Sequence, residues 1–259
     1  MKKRIVYILS TNFAGSHYLS LLLGSNSRAL HAGELFHFGR PVGKCNLKEV
    51  NLKDSEVFEG IGPHNIEQVY DIIFSRIDAR IEVVVNTSKT IRGWAERFLG
   101  NESYDRLYIH LFRDPRALVC RWLLNRELKT ELRYRWKLLR SWPRLRPFAE
   151  WSPMPAVWMC RWLLQNRAIT DFIGRHGLPA TLVTYRDLAK ETEAEVRRLT
   201  EWMGLTYEPR QLEYWSREHI GRRKEATSGS RNRRPTTSIC AGKPSWRQSG
   251  RRIFAAIGW

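Results

Sequence analysis

Residues 4–24 read as a strand, a turn and a helix in immediate succession, and the same alternation recurs down the chain. Arg4-Ile5-Val6-Tyr7-Ile8-Leu9 is a short β-rich apolar run, the pattern of a strand buried on both faces. Ser10 to Gly15 is small and polar, and Ser16 to Gly24 then carries Leu19, Leu22 and Leu23 at helical spacing, with Gly24 as a stop. Further strands are predicted at 81–85, 107–112 and 180–184. Helices are predicted over 65–77, 90–99, from Pro115 onward, over 156–174, over 192–203 and briefly after Pro209. Residues 40–62 lack a period, and 142–155 hold four prolines, so both read as loop. Strands alternating with helices imply a parallel sheet with crossover helices. The expectation is one α/β domain over 1–259, P-loop-like, with three α/β/α layers, a central parallel sheet of four to five strands and a basic, irregular C-terminal tail.

Composition limits the function. The 259 residues include 44 Lys/Arg and 26 Asp/Glu, a net charge of +18, and 42% are hydrophobic, which excludes a disordered chain. The charge is concentrated: residues 121–147 hold nine Lys/Arg and two Glu, and residues 217–252 hold eleven and two. Such local excess calls for an anionic partner without saying which. The four cysteines (Cys45, Cys120, Cys160, Cys240) are far apart, with no metal-ligand or disulfide spacing, so no metal is expected. The apolar run Ile5 to Leu9 is far shorter than a membrane span or a signal-peptide core, and a cytoplasmic protein is expected.

Three segments at strand ends carry anion-binding chemistry. Ser10-Thr11-Asn12-Phe13-Ala14-Gly15-Ser16-His17 leads into a helix, whose first N–H groups and partial positive charge favour phosphate. It lacks the Gly-Lys-Ser/Thr of a Walker A loop, which removes the main support for ATP or GTP chemistry. Phe112-Arg113-Asp114-Pro115-Arg116 puts an arginine where parallel sheets bind ligands, and its fork suits a phosphate. Asn86-Thr87-Ser88-Lys89 offers hydroxyls and an ammonium at a third strand end. Each also has a plain structural reading: a turn with Ser16 as cap, an Arg113–Asp114 surface pair, a solvated lysine.

Together these segments, in this order, resemble the sulfotransferase superfamily that uses 3′-phosphoadenosine 5′-phosphosulfate (PAPS), nearest its bacterial and tyrosylprotein/carbohydrate branch. The family's Arg-Ser-Gly-Ser/Thr-Ser/Thr loop is matched by Phe13 to His17, its Ser-Ser-Lys by Thr87-Ser88-Lys89, and its Arg-Asp-Pro-Arg by residues 113–116. Tyr185-Arg186-Asp187-Leu188, Trp202-Met203-Gly204-Leu205 and a tail with His219, Asn232 to Arg234 and Trp246-Arg247 are similar to its later elements. The resemblance implies PAPS as co-substrate, cradled by Asn12, Phe13, Ala14, Gly15, Ser16, His17 and Ser88, with Arg113 and Arg121 on the 3′-phosphate and Tyr185, Arg233 and Arg234 completing the site. It also implies Lys89 on the leaving group and Glu34, in His31-Ala32-Gly33-Glu34, as base toward an acceptor hydroxyl, with His37, His31 and His64 as alternative bases. Phe13 stands where the family has an arginine, His17 replaces the loop's second Ser/Thr, and Arg121 replaces a serine.

The acceptor side is expected in loops 35–62 and 125–155, with Trp142, Trp151 and Trp158 as an aromatic floor for a glycan or glycolipid, and peripheral membrane contact is compatible with it. Two alternatives remain. Arg/Lys interleaved with Trp122, Tyr134, Trp136 and Trp142 would suit a nucleic-acid binder, although Trp122, Leu123, Leu132, Trp136 and Leu139 fit one buried helix face instead. A nucleotide-kinase-like or inactive relative of the fold is the other.

Overall fold

The computed structural model describes residues 2–39, 56–124 and 128–216, apart from the side chains of 121–130. Five strands form the sheet: β1 (Arg4–Ser10), β2 (Ala29–Gly33), β3 (Val83–Asn86), β4 (Asp105–Phe112) and β5 (Ala180–Thr184). Their order is β2-β3-β1-β4-β5, and every neighbouring pair is parallel. Tyr7 stands opposite both Asn86 and Tyr108, which sets the register at the sheet centre.

Strand alternation divides the core. Ile5, Tyr7 and Leu9 face one apolar cluster with Val84, Tyr70, Trp94 and Phe172, while Val6 and Ile8 face another with Leu19, Leu22, Val196 and Leu199. Helices α1 (Ser16–Leu23), α7 (Tyr185–Lys190) and α8 (Thr192–Trp202) cover the second face; α2 (Val69–Arg76), the turns after Thr90 and the end of α6 (Met154–Arg175) cover the first. Each fully buried aliphatic side chain contributes roughly 1.5–3 kcal/mol, so both layers are needed to hold the sheet. The expected three-layer α/β/α fold with a parallel sheet is the observed one.

Three segments depart from expectation. β2 was not legible: Ala-Leu-His-Ala-Gly has no β-branched residue, yet all five positions are buried and four of them pair with β3, so tertiary context overrides propensity. The helix predicted over 90–99 is an irregular turn, because Arg92 and Gly93 leave helical geometry, Gly93 at φ 81°. Residues 142–155, read as loop, contain a 3₁₀ turn (Pro143–Leu145), α5 (Arg146–Trp151) and the start of α6. Pro143, Pro147 and Pro155 lie in first turns, where a missing N–H costs nothing, so these prolines start helices.

A third apolar cluster joins α3 (Pro115–Leu124), α4 (Leu128–Ser141), α5 and the first half of α6 through Leu118, Tyr134, Leu138, Ala149, Val157 and Trp158. The buried face of α4 is therefore Tyr134 and Leu138; Leu132 and Trp136 are 59% and 55% exposed, against the expected Leu132–Trp136–Leu139 face. Trp122 and Leu123 have side chains outside the described set. Trp158 is buried and Trp151 is 87% exposed, so they share no floor.

After β1 the chain crosses toward β2 at one edge, and after β4 toward β5 at the other. Adjacent strands whose connections part in opposite directions open a crevice at their carboxyl ends, where such sheets bind ligands. Residues 11–15, 87–89 and 113 leave the sheet there, as do Glu34 and Tyr185 from β2 and β5.

Candidate functional site

The loop after β1 is shaped by two left-handed residues. Phe13 has φ 65°, uncommon for a side chain with a β-carbon, and Gly15, the cap of α1, has φ 100°. A β-carbon at Gly15 would stand 2.5 Å from the Tyr185 ring, so only glycine fits between α1 and α7. The first turn of α1 has no acidic residue of its own to offset the positive end of the helix. Ser16 and Ala14 are buried; Asn12, Phe13 and His17 are exposed. The His17 ring lies 5.0 Å from that of His31, whose Nδ1 hydrogen-bonds the Ser20 hydroxyl at 2.6 Å.

Arg113 closes on this loop. Its Nη1 donates to the Phe13 carbonyl at 2.8 Å, and its guanidinium carbon is 4.1 Å from the Tyr185 ring centroid. The indole of Trp162 donates to the Arg113 carbonyl at 3.0 Å and fixes the strand end. The surface-pair reading fails on partner: Asp114 pairs with Arg116, at 2.5 Å, and the Arg116 hydrogen bond holds the Asp114 carboxyl below the usual range.

The ends of β2 and β3 build the second half. Thr87 N–H donates to Gly33 O at 2.9 Å, Asn86 Oδ1 accepts from Ser88 N–H at 2.5 Å, and the buried Ser88 hydroxyl accepts from Phe36 N–H at 3.0 Å. Lys89 is ion-paired and hydrogen-bonded to Glu34, and His37 Nε2 lies 3.1 Å from the other Glu34 oxygen. Burial pushes the Glu34 carboxyl up, but the His37 hydrogen bond and the charge and hydrogen bond of Lys89 outweigh it and hold the group at about 2.

The expected residues thus fall into two clusters: Phe13, Gly15, Arg113 and Tyr185, and Glu34, Lys89, Ser88 and His37. Arg121 lies on α3 with its side chain outside the described set; Arg233 and Arg234, with the whole tail, lie outside the described residues. His64 is bonded to neither cluster in any described contact.

Sequence reading quoted Ser10 and Thr87 only as parts of longer segments and gave neither a role of its own. Both hydroxyls are buried at the tips of β1 and β3 without a hydrogen-bond partner, as is His37 Nδ1. Buried hydroxyls normally find partners, so these two are open to a water or a polar ligand at the strand tips. Hydroxyl residues at the end of an apolar strand were the available signal. Among the described residues no His/Cys/Asp/Glu group is arranged to hold a metal, and no helix is long and apolar enough to cross a membrane.

A three-layer α/β fold with a polar crevice at the strand tips is the class that fold and site define. No protein-family model and no curated protein matches the sequence. Solved structures do: the sulfotransferase domain from the curacin biosynthetic pathway aligns with TM-score 0.60 at 17% identity, over 99% of this chain and 98% of that one. The sulfotransferase domain of the Synechococcus PCC 7002 olefin synthase aligns with TM-score 0.50 at 19% identity, over 85% and 80%. The chain has the sulfotransferase fold.

Proposed function

We propose that this protein is a PAPS-dependent sulfotransferase that moves a sulfuryl group to the hydroxyl of an acceptor, with a glycan or glycolipid favoured. The observation that carries the reading is the closure of Arg113 onto the Phe13–Gly15 loop and Tyr185, in a fold shared with sulfotransferases. Gly15, Ser16 and His17, with Asn12, Phe13 and Ala14, would meet the 5′-phosphosulfate at the start of α1, where backbone N–H groups favour anions. The orphan hydroxyls of Ser10 and Thr87 fit a phosphate oxygen in the same crevice. Arg113 and Arg121 would hold the 3′-phosphate; Ser88, Tyr185, Arg233 and Arg234 would complete the site.

The reaction breaks the bond between sulfur and the bridging oxygen and makes one from sulfur to the acceptor oxygen. Negative charge grows on the bridging oxygen, and Lys89 is the cation assigned to it; such electrostatic placement is the usual main source of rate. The acceptor proton goes to Glu34. Lys89 cannot fully serve both groups, so its shift from Glu34 to the donor would also raise the basicity of Glu34 at the moment a base is needed. In this reading residues 121–155 form the acceptor side of a single domain, the tail from 217 covers the donor, and the protein works in the cytoplasm.

The test is a melting-point titration with adenosine 3′,5′-bisphosphate, ATP and single-stranded DNA, followed by labelled PAPS offered to acceptor hydroxyls and read by mass spectrometry. Stabilisation by the bisphosphate alone and label in an acceptor are expected; stabilisation by ATP or DNA alone would end the reading. One observation favours nucleic acid: Trp136 is exposed among Arg133, Lys137 and Arg140. Its ring already carries the Arg140 guanidinium at 5.3 Å, which takes up a face that a base would need.

A further inference from the structure

Arg161 is a cation that the described protein leaves without a counter-charge. It lies on α6, 9% exposed, and its Nη1 is sealed from solvent with no hydrogen-bond acceptor. Its close partner is the ring of Tyr134 on α4, 4.5 Å away, which meets the charge but satisfies none of its N–H donors. Arg133, exposed on the same helix, adds repulsion rather than relief.

Partly buried arginines elsewhere in the fold are treated differently. Arg4 donates to the carbonyls of Met203 and Gly204, Arg106 to those of Phe98 and Asn101, and Arg28 is paired with Glu82. A buried guanidinium cannot shed its proton and is costly unless paired and hydrogen-bonded. Its place is also informative. The next residue, Trp162, bonds the Arg113 carbonyl, and Asn166, about one turn further along α6, lies 2.9 Å from His110 Nε2 of β4. The turn of α6 that bears Arg161 is therefore the one braced against the strand tip where Arg113 leaves the sheet.

We infer that Arg161 receives an oxyanion group (carboxylate, sulfate or phosphate) of the second substrate, so that the acceptor is itself an anion. Tyr134 stacks on the guanidinium from the side of α4 and takes up none of its N–H donors, so an oxyanion is the partner the guanidinium still lacks. Assigning that anion to an acceptor rests on the transferase reading; the anion site itself does not.

The full chain is compared with Arg161→Met and Arg161→Lys by thermal melting at fixed ionic strength, with chloride exchanged for sulfate as the probe. In chloride, Arg161→Met melts at or above the parent, by up to about 2–4 °C, because it replaces an unpaired buried charge with an apolar chain of similar length. Sulfate raises the melting point of the parent saturably, raises that of Arg161→Lys less, and leaves that of Arg161→Met at a clearly smaller rise. A melting point for Arg161→Met several degrees below the parent, with an unchanged sulfate response, overturns the proposal, since it makes Arg161 structural. The series is repeated with saturating adenosine 3′,5′-bisphosphate. A sulfate response that persists there assigns the site to a second ligand; one that vanishes assigns it to the donor and overturns the acceptor claim. A nucleotide that does not shift the parent's melting point counts against the transferase reading alone, since the chloride and sulfate comparisons do not use it.

Discussion

The guanidinium carbon of Arg113 stands 4.1 Å from the centre of the Tyr185 ring, and the same ring occupies the space a β-carbon on Gly15 would need. Tyr185 is thus a wall shared by the loop after β1 and the arginine that follows β4. Removing it in Tyr185→Ala forfeits a cation–π contact worth about 0.5–2 kcal/mol and should weaken binding of adenosine 3′,5′-bisphosphate by about 2- to 30-fold. Tyr185→Phe keeps the ring and should bind within about twofold of the parent. Calorimetric titration of the three proteins separates these outcomes; equal affinity for all three would dissociate Tyr185 from the site.

Gly15→Ala meets two penalties at once. Its φ of 100° is unfavourable for any residue with a β-carbon, and the added atom would lie 2.5 Å from Tyr185. Strained backbone of this kind costs of order 1–3 kcal/mol before the clash is counted. The variant should melt lower and lose nucleotide affinity together, because relief of the clash displaces the ring that supports Arg113. A Gly15→Ala protein with parental melting point and affinity would contradict the loop geometry.

The Glu34–Lys89–His37 group makes a claim on both rate and acid stability. Glu34→Gln should lower turnover about 10²–10⁴-fold as a lost base, and Lys89→Met about 10²–10³-fold as a lost charge stabiliser. Burial raises the Glu34 carboxyl but His37 and Lys89 outweigh it and bring it to about 2, so its folded value lies below its unfolded one. The contribution is then fully present above about 4.5 and disappears as pH falls toward 2. Melting curves of Glu34→Gln should change less across that window than those of the parent. If both fall with equal slope, the carboxylate is not held as described.

Much of this architecture could be read from residue order alone, and the exceptions are instructive. β1, β3, β4 and β5 carry dense β-branched or aromatic runs, so they announce themselves; β2 owes its existence to the neighbour Val83–Asn86, which no local window contains. The site loops were legible because polar residues follow apolar strands at Thr11, Thr87 and Arg113. Their partners were not: that Arg113 would choose the Phe13 carbonyl, and Asp114 would choose Arg116, depends on distances across 100 residues and on cap geometry. Arg161 gave no signal at all, since an arginine in a helix beside tryptophans reads as a solvated side chain until burial is known.

His110 supplies a second pH dependence, with a different window. Burial lowers its pKa from 6.5, more than the hydrogen bond with Asn166 restores, so the folded protein holds it neutral. A depressed value means that the unfolded chain binds the proton more readily: stability is complete above about 6.5 and declines as pH drops below it. His110→Gln can keep a hydrogen bond to Asn166 without titrating. Between about pH 7 and 5 its melting point should fall less than the parent's. Parallel curves would show that His110 titrates alike in both states.

Trp136 and Trp158 form a paired test of the helical unit beside the sheet. Trp158 is 2% exposed and packs edge-on against Tyr134, with ring centres 6.4 Å apart, so Trp158→Ala removes core volume and should cost about 3–5 kcal/mol. Trp136, two residues along α4 from Tyr134, is 55% exposed and contacts Arg140, and Trp136→Ala should stay within about 0.5 kcal/mol of the parent. Denaturant titration measures both. The contrast matters because helical periodicity alone favours Leu132 and Trp136 as the buried stripe of α4, whereas the packing buries Tyr134 and Leu138. A large loss at Trp136 with a small one at Trp158 would rotate α4 about its axis and carry Tyr134, the support of Arg161, away from α6.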